Sequence, residues 1–161
     1  MSNKGFTLIE VLLSVFIITV AVLGLYNGIS YYFNSIEKAK DKFVAAYLAE
    51  EGIELVKNIR DSNFVANKTD WKEGLTVCSG SYGCRIDYND ASLIANANST
   101  EEKAPLWIDN GFYNYTASGI KTIFSRKIAI SDVNADKIKV SIVVYYDNEE
   151  FLLEQYLYNW K

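Results

Sequence analysis

The chain has 161 residues, of which half are hydrophobic, 22% charged and 14% aromatic, with a formal net charge of −4. This balance excludes an intrinsically disordered chain, and without a Lys/Arg cluster it gives no electrostatic footprint for nucleic acid. No histidine is present, so the commonest general base and the commonest metal ligand are both missing.

Residues Phe6 to Tyr26, FTLIEVLLSVFIITVAVLGLY, form an apolar run broken by one charge, Glu10. As a helix rising about 1.5 Å per residue it covers about 30 Å, enough to cross a bilayer core. Lys4 precedes the run and the next cation is Lys38. The positive-inside rule therefore keeps the N-terminus cytoplasmic and sends the C-terminal part outward. No small-residue cleavage site follows the run, which separates it from an ordinary secretory signal. A carboxylate inside a spanning helix is costly unless paired or neutralised, so Glu10 reads as functional by default. The plainer alternative is a Glu at headgroup depth near a helix end.

The context Lys4-Gly5-Phe6-Thr7-Leu8-Ile9-Glu10-Val11 resembles the prepilin processing site shared by type IV pilins, their minor pilins and type II secretion pseudopilins. Its elements are Gly before the cut, Phe after it, Glu at the fifth mature position, and a long apolar helix. The resemblance implies that a membrane prepilin peptidase cuts between Gly5 and Phe6 and methylates the new Phe6 amine. In a helical assembly, Glu10 of one subunit can then pair with the Phe6 ammonium of a neighbour. Such a pair fixes axial register, because any other offset leaves a buried carboxylate unpaired.

The helical pattern continues beyond the apolar run. Ile29, Phe33, Ile36, Phe43 and Tyr47 make a one-sided apolar stripe, interrupted by a charged band at Lys38, Lys40, Asp41 and Lys42. AYLAEEGIELVKNIRD carries the pattern to about Arg60, and Asp61-Ser62-Asn63 reads as a breaker. Gly24 and Gly28 suit either a local kink or close helix–helix approach in the membrane. Glu50, Glu51 and Glu54 invite a carboxylate metal-site reading, but without His or a matching second helix they read as a solvated face. The stem end, AYLAEEGIELVKNIRD, and the aromatic tail Tyr158-Asn159-Trp160 resemble PilV-like minor pilins.

The rest reads as strands. Phe124, Arg126, Ile128 and Ile130 alternate with Ser125, Lys127 and Ala129, and Ile138 to Val144 alternate likewise. FLLEQYLY at 151–158 makes a third run, and polar clusters at 132–136 and 147–150 mark the turns, giving an antiparallel meander. Tyr113 and Tyr115 flank a shorter fourth strand. The expected fold is α+β, a helical spine, transmembrane in its first half and amphipathic in its second, packed on an antiparallel sheet as in the pilin fold. The boundaries are 1–5 for a cleaved leader, 6–28 for the membrane and filament-core helix, and 29–161 for the head. Within the head, 29–60 is the amphipathic helix, 61–110 is loop-rich and 111–161 holds the strands.

Cys78 and Cys84 flank Ser-Gly-Ser-Tyr-Gly, and an exported head favours a disulfide between them. A free pair is the alternative in a reducing exterior. Asp132-Val133-Asn134-Ala135-Asp136 matches the opening of a calcium loop, but Lys137 and Val143 stand where that pattern needs Gly and Glu, so a hairpin turn reads better. Tyr156, Tyr158 and Trp160 read as edge-strand packing against the stem, with an adhesive surface as the alternative. No Ser/His/Asp or Cys/His set, HExxH or phosphate loop occurs, so no catalytic residue, metal ligand or cofactor is expected.

The resemblance implies a minor type IV pilin, with a secretion or DNA-uptake pseudopilin and a membrane-anchored binding or enzymatic head as alternatives. It implies four partners: prepilin peptidase, other pilin subunits, the inner-membrane assembly platform and the cytoplasmic membrane. The chain would sit single-pass in that membrane, head outside, before entering an extracellular pilus or a periplasmic pseudopilus.

Overall fold

The computed structural model describes Gly5 and residues 7–160. The chain divides into two units, Met1–Lys40 and Asp41–Lys161, and the first helix, α1 (Leu8–Val65), contributes to both. In the first unit every described residue is exposed. Among the described residues, α1 is the one helix long and apolar enough to cross a bilayer.

In the second unit the remainder of α1 packs on an antiparallel seven-stranded sheet, the α+β architecture that the alternating pattern predicts. After a 3₁₀ turn at Thr76–Ser79 come β1 (Cys84–Arg85), β2 (Ile94–Ala95), the short helix α2 (Ser99–Glu102) and β3 (Pro105–Asp109). Then follow β4 (Phe112–Asn114), β5 (Ile120–Asn134), β6 (Lys137–Tyr146) and β7 (Glu149–Tyr158). One edge of β5 pairs with β6, and β6 pairs in turn with β7; β5 also pairs with β3 and β1. Ile128, Ile130, Ile138, Val140, Ile142 and Val144 form the buried face beneath the helix. Their period-two spacing is what a sheet covered on one side requires.

The residues of α1 that cover the sheet are not the predicted aromatic stripe. Ala45, Leu48, Ala49, Gly52, Ile53 and Val56 are buried, whereas Phe43 is 78% and Tyr47 65% exposed. At about 100° per residue, Phe43 and Tyr47 point about 200° away from Ala45 and Ala49. Small side chains win this face because they bring backbone close to sheet. A Cβ placed on Gly52 would stand 3.3 Å from both the Arg126 Cδ and the Ile142 Cδ1.

Nor does α1 stop at Arg60. It runs to Val65 because Asn63 is buried and its side-chain amide donates to the carbonyls of Trp71, at 3.1 Å, and Glu73, at 2.8 Å. Phe64 stacks on Trp71 and meets the ring of Trp160 at 4.4 Å. These tertiary contacts satisfy what a polar cluster would otherwise seek from solvent. The stretch read as loop-rich supplies β1, β2 and β3, too short or too irregular to show a period.

Because burial begins at Ala45, a chain deleted through Lys40 is expected to stay soluble and to unfold cooperatively. Deletion through Gly52 removes Leu48 and Ala49 and should uncover the sheet, giving aggregation. Size-exclusion chromatography and near-UV circular dichroism compare the two. Equal solubility and equal cooperativity would contradict the packing of α1 on the sheet.

Candidate functional site

The N-terminal segment begins α1 with a threonine cap. The Thr7 hydroxyl and carbonyl accept the Glu10 N–H at 3.4 and 3.1 Å, and the carbonyl also takes the Val11 N–H. Thr7-x-x-Glu10 is the capping-box spacing, a local signal legible in the sequence. Among the described residues the reciprocal bond, from the Thr7 N–H to the Glu10 carboxylate, is not formed. Among the described residues nothing pairs with that carboxylate, and Glu10 is exposed. Capping therefore uses the Glu10 backbone and leaves its charge free. Gly5 is exposed, with nothing within 4 Å of a Cβ added there. Phe6, the residue expected to follow the cut, lies outside the described residues.

The second unit holds a buried polar knot centred on Arg126, which is 1% exposed. Arg126 occupies an apolar-face position of β5, between Phe124 and Ile128. Its guanidinium donates to the Leu48 carbonyl at 3.1 Å and the Ile86 carbonyl at 2.8 Å, and lies 3.3 Å from the Glu51 carboxylate. The Tyr115 hydroxyl donates to the Arg126 carbonyl at 2.7 Å, while Asp87 accepts the Tyr115 N–H at 2.8 Å. Burial pushes the Asp87 carboxyl and the Tyr115 phenol up, and the Arg126 charge opposes both shifts. A mid-helix carbonyl is normally screened by the side chain one turn on. Gly52 carries none, so Leu48 can accept from Arg126. Glu51, read as part of a solvated face, instead faces the sheet. Glu50 and Glu54 are exposed, and Glu54 pairs with Lys57 at 3.4 Å. An arginine on an apolar alternation, opposite a helical Glu-Gly pair, was the available signal.

Cys78 and Cys84 form a disulfide, with Cα atoms 5.1 Å apart and both residues buried. Gly83 turns the chain into β1 with φ +62°, where a Cβ would clash with the Ile128 carbonyl. Glycine is therefore required both by conformation and by space.

The Asp132–Asp136 segment is the end of β5, through Asn134, and the two-residue turn Ala135-Asp136 into β6. Asp132 pairs with Lys72 at 2.9 Å, Asn134 accepts the Asp136 N–H at 3.0 Å, and Asp136 accepts from the Asn159 side chain at 3.2 Å. Among the described residues no cluster of three or more metal-ligating side chains occurs. Among the described tail residues, Trp160 packs on the stem through Phe64. Tyr156 and Tyr158 lie on the opposite sheet face under the Lys137 ammonium, at 3.8 and 5.3 Å from their ring centres. The period-two register puts them there, since Leu157 points inward.

Lys127 donates to Glu102 at 2.8 Å, and the Tyr145 hydroxyl donates to the same carboxylate at 3.1 Å. The lysine bond holds Glu102 below its ordinary value of 4.5. Burial, aided by Glu102, pushes Tyr145 from 10.0 up to about 12. A lowered carboxylate stabilises the fold above its unfolded value and loses that contribution as pH falls through the folded one. A raised phenol contributes fully below its unfolded value and loses that contribution as pH rises through the folded one. Unfolding free energy should therefore decline below the ordinary carboxylate range and again between pH 10.0 and about 12. Tyr145→Phe should flatten the alkaline limb in denaturant titrations. An unchanged limb would contradict this assignment.

Residues 1–26 match the family model described as the prokaryotic N-terminal methylation motif. No curated protein and no solved structure gives a significant match. The matched segment contains Gly5, Thr7 and Glu10 and most of the exposed apolar part of α1. The first 26 residues thus carry a prepilin-type N-terminal methylation motif, as type IV pilin-like proteins do.

Proposed function

We propose that this chain is a minor type IV pilin of the PilV-like kind, a structural subunit rather than an enzyme. On this reading, prepilin peptidase removes residues 1–5 at the Gly5–Phe6 bond and methylates the Phe6 amine. The helix at 6–28 then holds the chain in the cytoplasmic membrane, N-terminus inside and head at 29–161 outside. The assembly platform moves that helix into a filament core among other pilin subunits. The observation that carries the reading is the methylation motif over residues 1–26, joined to a Glu10 carboxylate that capping leaves free. Inside an apolar helical bundle such a charge needs a partner, and a neighbour's Phe6 ammonium supplies one.

Intact-mass measurement and N-terminal sequencing of membrane and sheared-fibre fractions test the processing step. The expected product begins at an N-methylated Phe6, and Gly5→Glu should accumulate as membrane precursor. Assembled fibres containing the chain with Met1 attached would overturn the proposal.

A further inference from the structure

The edges of the sheet are unequal. Beyond β1 and β3 lie β2, with two residues, and β4, with three. At the other side lies β7, with ten, pairing among the described residues with β6 alone. Long unpaired edges are normally blunted by charged side chains, proline or a bulge; EEFLLEQYLY has no proline and no bulge, and its charges are three glutamates.

The register shows which backbone groups are open. Asp147 and Asn148, with φ 41° and 63°, link Tyr146 to its partner Glu149 in a hairpin of type I′ character. In that turn the flanking pair is hydrogen-bonded, and bonded and non-bonded pairs then alternate. The Asn159 N–H, which donates to the Asp136 carbonyl at 2.9 Å, falls in the same phase. The N–H and C=O groups of Glu150, Leu152, Glu154, Tyr156 and Tyr158 therefore face away from β6.

Charge divides this edge. At the start of β7 a cleft of about 480 Å³ reaches across the sheet from Ile123 and Ser125 of β5, past Tyr145, to Asp147, Glu149 and Glu150, with one cation, Lys103. Lys103 is drawn over the Tyr145 ring, 5.0 Å from its centre. At the other end Lys137 covers Tyr156 and Tyr158. A lysine or arginine entering beside Glu150 would meet an acidic end of the strand, a favourable setting for a cation.

We propose that the open edge of β7 is a docking strand for an extended segment of a partner protein, with basic side chains seated in the cleft at 147–150. Main-chain bonds would give affinity and the cleft would give polarity, as in other strand-addition interfaces. The site is independent of the N-terminal motif.

The probe is a short synthetic peptide of alternating threonine and valine ending in paired lysines, with a paired-glutamate counterpart. Each is titrated onto the full chain in detergent micelles. Like- and opposite-charge cross-strand pairs differ enough to predict at least about tenfold tighter binding of the lysine peptide. It should slow amide exchange at Glu150, Leu152, Glu154, Tyr156 and Tyr158. Leu152→Pro removes an outward N–H while sparing the β6 ladder, and should weaken binding by about tenfold. Glu150→Lys keeps every amide and should erase or invert the preference, even if the proline variant misfolds. Equal binding of the two peptides, or protection elsewhere, would overturn the proposal. Concentration-dependent protection of the same amides without peptide would assign the edge to a second copy and also overturn it.

Discussion

Glu10→Gln is expected to leave the chain membrane-inserted, cleaved and methylated, yet largely absent from sheared fibres. The substitution keeps size and helix propensity, and it leaves the Thr7 cap intact because that cap uses the Glu10 backbone N–H. An uncharged amide is cheaper in the bilayer, so insertion should improve. In the filament, however, a neighbour's Phe6 ammonium would be buried without its counter-charge, at a cost of roughly 3–5 kcal/mol. Glu10→Leu should fail in the same way, which separates loss of charge from loss of hydrogen bonding. Quantitative blotting of membrane and fibre fractions, with mass analysis of the N-terminus, provides the measurement. Equal incorporation of all three chains would show that Glu10 does not set register, and would favour a simple membrane anchor.

In the head the largest effect is expected at Glu51, and it should exceed that at its partner. Glu51→Gln leaves the buried Arg126 guanidinium without its nearest carboxylate. Because Glu51 is itself partly hydrated, with its side chain 23% exposed, we expect a loss near the lower end of the range for an orphaned buried charge, roughly 3 kcal/mol. Arg126→Met removes the charge but keeps most of the volume. Glu51 can then turn to water, and the main loss is the unpaired Ile86 carbonyl, about 1–2 kcal/mol. The double variant should be more stable than Glu51→Gln alone, a non-additivity expected of residues in one network. Urea unfolding of the chain deleted through Lys40 measures all three. A larger loss for Arg126→Met than for Glu51→Gln would mean that the guanidinium matters through its carbonyl contacts and not its charge.

The same knot shows where sequence reading ran out. Arg126 fell on the apolar phase of its strand, and period-two logic placed it on the buried face. Its partners come from residues 48, 51 and 86, and no spacing rule relates those positions to 126. The aromatic stripe failed for a related reason: bulk and hydropathy favoured Phe43 and Tyr47, while close packing selected Ala45, Ala49 and Gly52. Likewise Asn63 looked like a helix breaker until Trp71 and Glu73 were brought within reach of its side chain.

By itself the sequence determined what depends on local or periodic chemistry. It specified the apolar helix with its lone Glu10, the processing motif around Gly5, and the three long strands and their turns. Each signal lies within a few turns or one strand, so neighbours along the chain carry it. Only the tertiary structure decided which helix face meets the sheet, how far α1 extends, where β1 to β3 lie, and that β7 is left with an open edge. Those outcomes depend on close approach between distant segments, where a missing Cβ or one buried charge outweighs average hydropathy.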